Sequence, residues 1–229
     1  MHDAVVMAAG EGRRLRPLTE HWPKPVLPID GRPVIVTLLH DLADAGVERV
    51  TVVTGHLAEQ VEALAAGAEP RLELQFVRQP EPLGSADAVR RAAEAGATPP
   101  FLISAADTVF DAGDIGRFAT AASVEGASGA ISWRRRGGSK SLQIEDGRVT
   151  AFLEPGATPH AAAPLWSAGA EILGSLGDLA GPPFELSDAF QRAVDRGKTV
   201  LAIEIGPTRD LTEPADVVRE NFLYLESER

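Results

Sequence analysis

Strand-like and helix-like segments alternate along the first half of the chain, and this alternation constrains the fold more than any other feature. Four short apolar or alternating runs are typical of strands: 4–8, 47–53, 72–77 and 101–103. Three segments between them have helical apolar spacing and end next to a glycine: 33–45, 56–66 and 85–95. Such alternation predicts a three-layer α/β fold, in which helices cover both faces of a parallel sheet.

The pattern changes after about residue 125, where strands are no longer separated regularly by helices. Strands are predicted at 129–133, 142–144, 148–153 and 199–205, and helices at 186–195, with Ser187 as its cap, and 214–225. The dipeptide Asp146-Gly147 is a strong hairpin signal between two of these strands. We therefore expect a mainly parallel mixed sheet with a small antiparallel insertion, all within one domain over 1–229.

Charge and composition exclude several functions. The chain has 22 basic and 33 acidic residues, a formal net charge of −11, which disfavours binding to a nucleic-acid backbone. It contains no cysteine, so disulfides and thiolate metal sites are excluded. No apolar run approaches the ~18 residues that suggest a membrane span. We expect a cytoplasmic protein without nucleic-acid or membrane partners, and a homo-oligomer remains open.

A glycine-rich segment, 7–19, directly follows the first predicted strand. It begins with small residues that allow backbone N–H groups to approach a phosphate closely: Ala8, Ala9, Gly10 and Gly12. Leu15 stands where a dinucleotide fingerprint would have its third glycine, and no Gly-Lys-Ser/Thr follows as in a P-loop. Arg14 and Arg16 instead supply guanidinium groups suited to phosphate. The segment indicates a phosphate-binding loop.

A lysine framed by prolines follows within a few residues. Pro23 and Pro25 restrict the backbone on either side of Lys24 and hold it in place. Together with the glycine-rich segment, residues 4–33 resemble the opening pattern of the nucleoside-diphosphate-sugar pyrophosphorylases, which are sugar-1-phosphate nucleotidyltransferases. The resemblance implies a Rossmann-like nucleotidyltransferase fold of the glycosyltransferase-A-like (GT-A-like) type.

Two later segments extend this resemblance. Residues 79–88 are similar to the segment with which the family recognises the nucleotide base. The amide of Gln79 offers both a donor and an acceptor to a base edge, and Gly84 lets a flat ring lie against the backbone. Asp107 follows a predicted buried strand in an Ala-Asp pair, where the family places a metal-binding aspartate. Ligands of open α/β sheets gather at the carboxyl ends of strands, where this residue falls.

The second half of the chain matches the family less sharply. Glu154 stands in the family's Glu-Lys-Pro position and is predicted to accept sugar hydroxyls, but Pro155 replaces the lysine that contacts the sugar phosphate. Lys140 is the predicted substitute, and a solvated loop lysine is the equal alternative. Ser167 occupies the place of an asparagine that lies beside the sugar.

The resemblance also implies a second metal-binding carboxylate near the end of the chain. Glu204 and Asp210 are the two candidates. We favour Asp210, because Thr212 and Pro214 locate the start of the following helix.

The implied reaction joins an NTP and a sugar 1-phosphate to give an NDP-sugar and pyrophosphate. Mg²⁺ between Asp107 and Asp210 would bridge the reacting phosphates. As catalytic groups, Arg14 would hold the β and γ phosphates and Lys24 would neutralise the α-phosphate. The alternatives are a cytidylyltransferase acting on an alcohol or polyol phosphate, and a nucleotide-sensing protein without turnover.

Overall fold

The computed structural model describes residues 1–135, 140–177 and 179–222. Its strands are β1 Asp3–Ala8, β2 Pro28–Ile29, β3 Arg32–Pro33, β4 Arg49–Thr54, β5 Glu73–Arg78, β6 Phe101–Ala105, β7 Thr108–Val109, β8 Gly129–Arg134, β9 Ser141–Glu145, β10 Arg148–Leu153, β11 Ala161–Ala168, β12 Val200–Glu204 and β13 Arg209–Asp210. Its α-helices are α1 Val34–Asp44, α2 Ala58–Ala65, α3 Ser85–Glu94, α4 Asp114–Ala122, α5 Ala170–Leu173, α6 Leu186–Asp195 and α7 Pro214–Asn221.

The central sheet has nine strands in the order β5-β4-β1-β6-β11-β8-β12-β10-β9. The first four are mutually parallel, as the alternation of strands and helices predicts. The prediction of a mainly parallel sheet is wrong, because β11 pairs antiparallel with β6 and β8, and β10 pairs antiparallel with β12 and β9. One further pair, Ala161 with Ser141, joins β11 to β9 and closes a ring of five strands.

The second half of the sheet is mixed, since β12 pairs parallel with β8 while its other pairings are antiparallel, and its hairpin follows from the way two of its strands are connected. β9 and β10 are joined by Asp146 and Gly147, both with positive φ (48° and 73°), which confirms the predicted hairpin turn. A two-residue turn can only reverse the chain, whereas a parallel neighbour requires a long crossover such as a helix. The parallel connections of the first half each contain a helix.

Alternate residues of β1 face opposite sides of the sheet and enter two apolar cores. Val6 packs with α1 and α4 on one side, where Leu38 and Phe118 are fully buried. Val5 packs with α3 and α6 on the other side, where Phe190 is fully buried. The predicted three layers are therefore present. Within the described residues, no helix combines the length and hydrophobicity needed to cross a bilayer.

The sequence does not predict strand β11. Its first half is a run of small alanines with Pro164 among them, a composition that favours a loop over a strand. The pairing with β8 shifts between Ala162 and Trp166, so the proline falls at an irregularity, as strand prolines generally do. The Leu165 N–H freed there donates to the Ser132 hydroxyl at 3.3 Å.

The helix ends also differ from the predictions in detail. α6 begins at Leu186 after Glu185 in extended conformation, so Ser187 lies in the first turn and is not the cap. α7 ends at Asn221, and the predicted continuation to 225 falls outside the described residues.

Three loops meet at the carboxyl edge of the parallel strands. β1, β4 and β6 are in register, so that Ala8 pairs with Thr54 and Met7 pairs with Ala105. The loop after β4 begins with Gly55, where a Cβ would lie 2.8 Å from the Ala9 carbonyl oxygen and 2.9 Å from that of Gln79. This close approach holds the loop after β1 against its neighbours.

Candidate active site

Two adjoining cavities open at this edge of the sheet. The glycine-loop chamber, of about 330 Å³, is bordered by the loop after β1, and the β11 chamber, of about 440 Å³, lies between β11 and the start of α6. The residues that line both chambers form their junction: Met7, Arg14, Lys24, Asp107 and Thr212. Two binding spaces therefore meet at two cations and a carboxylate.

The glycine-rich segment wraps around Thr19. Gly12 has a φ of +61°, and a Cβ there would lie 2.9 Å from the Thr19 methyl, while the Thr19 hydroxyl donates to the Gly12 carbonyl at 3.0 Å. Gly10 lines the chamber, and a Cβ built on it would meet no described atom within 4 Å. Ala8 also lines the chamber, whereas Ala9 accepts the His56 N–H at 3.3 Å. The loop thus presents accessible backbone to the cavity.

The arginines after this loop divide into two kinds. Arg13 and Arg16 donate to the Glu11 carboxylate at 2.8 and 3.2 Å, and the hydrogen bond from Arg13 lowers the pKa of Glu11. Arg16 is therefore engaged by its own loop and lines neither chamber. Arg14 lines both chambers and makes no ion pair with a described residue. Arg13 also lines the glycine-loop chamber, but Arg14 is the cleft guanidinium of this segment without a carboxylate partner among the described residues.

Lys24 reaches across the cleft to Asp107, the predicted metal ligand at the junction. It begins a 3-10 turn, Lys24–Val26, after Pro23 in extended conformation. Its ammonium forms an ion pair with Asp107 Oδ2, and the two side chains are only 14% and 30% exposed. The pairing of β1 with β6 makes this contact possible between residues distant in sequence. The two predicted active-site residues lie together, and each holds the other in place.

Asp210 lines the same chamber as Asp107, and Glu204 does not. β13 pairs with β7, so that Asp210 stands opposite Thr108, and Asp210 lines the β11 chamber. Glu204 ends β12, forms an ion pair with Arg135 at 3.4 Å and lines neither chamber. In the described ranges no group of three or more potential metal ligands occurs. A cation in this cleft would be held by two carboxylates and by substrate oxygens.

Gln79 is committed to internal hydrogen bonds. It is 5% exposed, and its amide nitrogen donates to the Gly84 carbonyl at 3.0 Å and to Asp87 Oδ2 at 2.8 Å. Burial raises the pKa of Asp87, but hydrogen bonds from Arg91, Gln79 and Arg90 outweigh it and the net pKa is lowered. Both N–H donors of the Gln79 amide are therefore used within the protein, and its carbonyl oxygen makes no hydrogen bond among the described residues, so its contact with a base stays a prediction.

Gly84 has a structural role that the sequence did not indicate. Its φ is +108°, and a Cβ there would lie 2.3 Å from the Phe184 carbonyl oxygen. The segment around Phe184 is bound to this loop by hydrogen bonds from Phe184 N to Leu83 O and from Ala86 N to Phe184 O, at 2.7 and 2.9 Å. Close backbone packing therefore requires glycine on this side of the loop, and the predicted contact of Gly84 with a base stays a prediction.

Of the three residues predicted to bind the sugar phosphate, the structure brings Lys140 and Glu154 together and places Ser167 apart from them. Lys140 lines the β11 chamber and lies 3.3 Å from Glu154, whose side chain is 86% exposed at the rim and lines neither chamber. Ser167 pairs with Leu102, inside the sheet and away from the carboxyl edge, and is 2% exposed. Ser167 lies away from the site because β11 runs antiparallel to β6 and its later residues therefore lead away from the carboxyl edge. Residues 137–139 of the Lys140 loop lie outside the described residues.

Several polar residues of the β11 chamber were missed. Arg134 ends β8 there, and Ser85 and Glu185 also line the chamber, with the Ser85 hydroxyl donating to Glu185 at 2.8 Å. Ser85 and Glu185 come from distant parts of the chain, so no local motif connects them. Arg134 carried a usable signal, since it directly follows a predicted strand of the sheet.

Comparison with known proteins agrees with this geometry. The nucleotidyl transferase family model matches residues 3–142, and the chain belongs to that family. It is 33% identical over 153 residues to the CMP-5'-(3-aminopropyl)phosphonate synthase of Streptomyces rubellomurinus, covering 66% of this chain and 24% of that protein. The chain spans about a quarter of the length of the first curated relatives it matches.

Solved structures share the whole fold. A UDP-glucose pyrophosphorylase from Acinetobacter baumannii superposes with a TM-score of 0.83 at 21% identity, covering 100% of this chain and 95% of that one. The inositol-1-phosphate CTP transferase from T. maritima superposes with a TM-score of 0.78 at 21% identity, covering 94% and 91%. The described architecture is thus the α/β nucleotidyltransferase fold.

The packing at Gly84 can be tested by comparison with a second glycine of similar conformation. Gly84→Ala introduces backbone strain and a clash with Phe184, whereas Gly96→Ala, at φ +109° with no described atom within 4 Å of its Cβ, introduces strain alone. Urea denaturation should show Gly84→Ala less stable than Gly96→Ala by about 1–3 kcal/mol, the usual cost of overpacking. Equal losses of stability would contradict the steric role.

Proposed function

We propose that the protein transfers a nucleotidyl group from an NTP to the phosphate of a sugar 1-phosphate, releasing pyrophosphate. The observation that carries the proposal is the junction of the two chambers, where Arg14, Lys24 and Asp107 line both cavities. A reaction between two anionic substrates requires two adjoining sites and cations where they meet. The membership of the nucleotidyl transferase family supports the reaction class.

The positions of the residues suggest which part of each substrate they bind. The NTP triphosphate occupies the glycine-loop chamber, where backbone N–H groups near Gly10 and the Arg14 guanidinium bind the β and γ phosphates. The acceptor's phosphate enters from the β11 chamber, and its oxygen forms a bond to the α-phosphorus as the bond to the pyrophosphate oxygen breaks. Lys24, at the junction, neutralises the charge that develops there. No covalent intermediate on the protein is needed, because alignment and charge neutralisation suffice.

Two carboxylates of the β11 chamber fit Mg²⁺. Asp107 and Asp210 both line the β11 chamber from adjacent paired segments, and carboxylate oxygens are the ligands that Mg²⁺ prefers. When bound, the ion supplies neutralisation of the phosphate charge. Asp107 has a second function, because its ion pair with Lys24 keeps the ammonium at the junction before substrates arrive.

A cytidylyltransferase acting on an alcohol phosphate or a phosphonate is the second candidate. Pro155 replaces the lysine expected beside a sugar phosphate, and Ser167 does not line the chamber. The β11 chamber instead contains Trp166 and Glu185, a pair able to bind an ammonium group as well as hydroxyls. A curated relative named as a CMP-aminopropylphosphonate synthase favours the same alternative.

A substrate panel distinguishes these candidates. Each of five NTPs (ATP, CTP, GTP, UTP and dTTP) is incubated with hexose 1-phosphates, inositol 1-phosphate, phosphocholine or 2-aminoethylphosphonate, and pyrophosphate release is measured. Turnover with a hexose 1-phosphate supports the proposal. Turnover confined to CTP with an alcohol phosphate or phosphonate supports the second candidate. Nucleotide binding without turnover of any pair would contradict both.

Lys24 should be essential for turnover and dispensable for folding. Lys24→Ala removes a charge from the junction, and loss of one such contact typically lowers the turnover number about 10²–10³-fold. Lys24→Arg should recover only part of this, because a planar guanidinium cannot replace a compact ammonium between two prolines. Steady-state pyrophosphate release and thermal melts measure both effects. Lys198→Ala, which removes another ion-paired lysine, is the control, and near-normal turnover in Lys24→Ala would exclude the catalytic role.

Substitutions of the two candidate metal ligands, Asp210 and Glu204, should differ clearly in their effect on the Mg²⁺ dependence of activity. Asp210→Asn should raise the Mg²⁺ concentration for half-maximal activity at least about tenfold, since even residues that only support metal ligands contribute 10–100-fold. Glu204→Gln should leave it unchanged, because that carboxylate is paired with Arg135 outside both chambers. Mg²⁺ titrations of activity at fixed NTP provide the measurement. The reverse order of effects would assign the metal to Glu204.

A further inference from the structure

Arg134 is a half-buried cation without a carboxylate partner. It ends β8 and lines the β11 chamber. Its Nη1 donates to the hydroxyl of Thr208 and to the carbonyl of Thr208, the latter at 3.3 Å. Its Nε is buried and has no hydrogen-bond partner among the described residues. Most buried polar groups are hydrogen-bonded, so this one is incompletely satisfied by the protein itself.

Neighbouring cations contrast with Arg134. Arg135, the next residue, is paired with Glu204 at 3.4 Å, and Lys140, on the same chamber, is paired with Glu154 at 3.3 Å. Arg134 forms no ion pair with any residue of the described ranges. A guanidinium taken partly out of water without a counter-charge is destabilising unless a ligand supplies that charge. Its position in a chamber wall indicates that an anionic ligand does so.

Among the described residues, no carboxylate that lines the β11 chamber pairs with Arg134. Asp107 is engaged by Lys24, and Glu185 accepts the Ser85 hydroxyl. Asp210 follows Thr208 by two residues yet forms no ion pair with Arg134 among the described contacts. The guanidinium retains N–H donors in a fixed planar arrangement, which matches the oxygens of a phosphate or phosphonate better than an ammonium does.

We infer that Arg134 binds the phosphate or phosphonate group of the acceptor substrate, and that Thr208 is the positioning residue that orients the guanidinium. The inference rests on the proposed transfer reaction and adds to it the group that holds the second substrate. It places the acceptor's anionic end on the β8 wall of the chamber, beside the junction. It also gives the chamber an anion-binding residue that the Lys140–Glu154 pair does not supply.

The test separates binding of the two substrates. Arg134→Met should raise the KM for the acceptor about 10- to 100-fold, the effect of losing charge-assisted hydrogen bonds, while kcat and the KM for NTP change less than about threefold. Arg134→Lys should recover part of the loss. Arg135→Met is the matched control and should behave as the wild type. Thr208→Val should raise the acceptor KM by a smaller factor, and Thr208→Ser should restore it.

A second measurement keeps the inference independent of turnover. Inorganic phosphate is titrated by calorimetry into nucleotide-saturated wild type, Arg134→Met and Arg135→Met, with thermal melts as the folding control. Phosphate binding that is weaker in Arg134→Met, but not in Arg135→Met, supports the assignment of Arg134. This holds even if no acceptor in the panel is turned over, because absence of turnover would contradict only the proposed function. An unchanged acceptor KM, or unchanged phosphate binding, in Arg134→Met and Arg134→Lys overturns it and leaves the transfer reaction intact.

Discussion

The parallel pairing of β1 with β6 is the contact on which the site depends. It places the end of β1, and so the glycine-rich loop, beside the segment that carries Asp107. The ion pair between Lys24 and Asp107 then closes this arrangement across the cleft. Because both β1 and β6 are buried on both faces between two apolar cores, the position of these groups is fixed by packing rather than by the loops themselves. A site on such strands needs little reorganisation when an anionic ligand binds.

The sequence predicted the parallel half of the fold well because its signals are local. Each strand of that half is an apolar run and each helix has regular spacing, so the type of element follows from a short window. The second, mixed half was predicted less well, because strand neighbours there are set by contacts between distant segments. Strand β11 shows this directly, since its alanines and Pro164 carry no strand signal and only its partners on both sides define it.

The same distinction separates the candidate site residues. Lys24 and Asp107 were identified from motifs, and the structure brings them into contact. Ser167 was assigned by its position in a motif, but the direction of β11 takes it away from the cleft. Gln79 shows a second limit, since its donors are taken by Gly84 and by the buried Asp87. The residue type predicts which hydrogen bonds a side chain is able to make, and only the fold decides which of them remain for a ligand.

The net charge of −11 makes the distribution of cations in the cleft informative. In an acidic protein most arginines and lysines find a carboxylate nearby, as Arg13, Arg16 and Lys140 do. Arg14 and Arg134 line the cleft without such a partner in the described part of the chain. Arg14 lines both chambers at their junction, and Arg134 lines the β11 chamber. In the proposed reaction Arg14 and Arg134 each bind one anion, and Lys24 lies at the junction of the two chambers. This is the charge arrangement required to bring two phosphates together against their mutual repulsion.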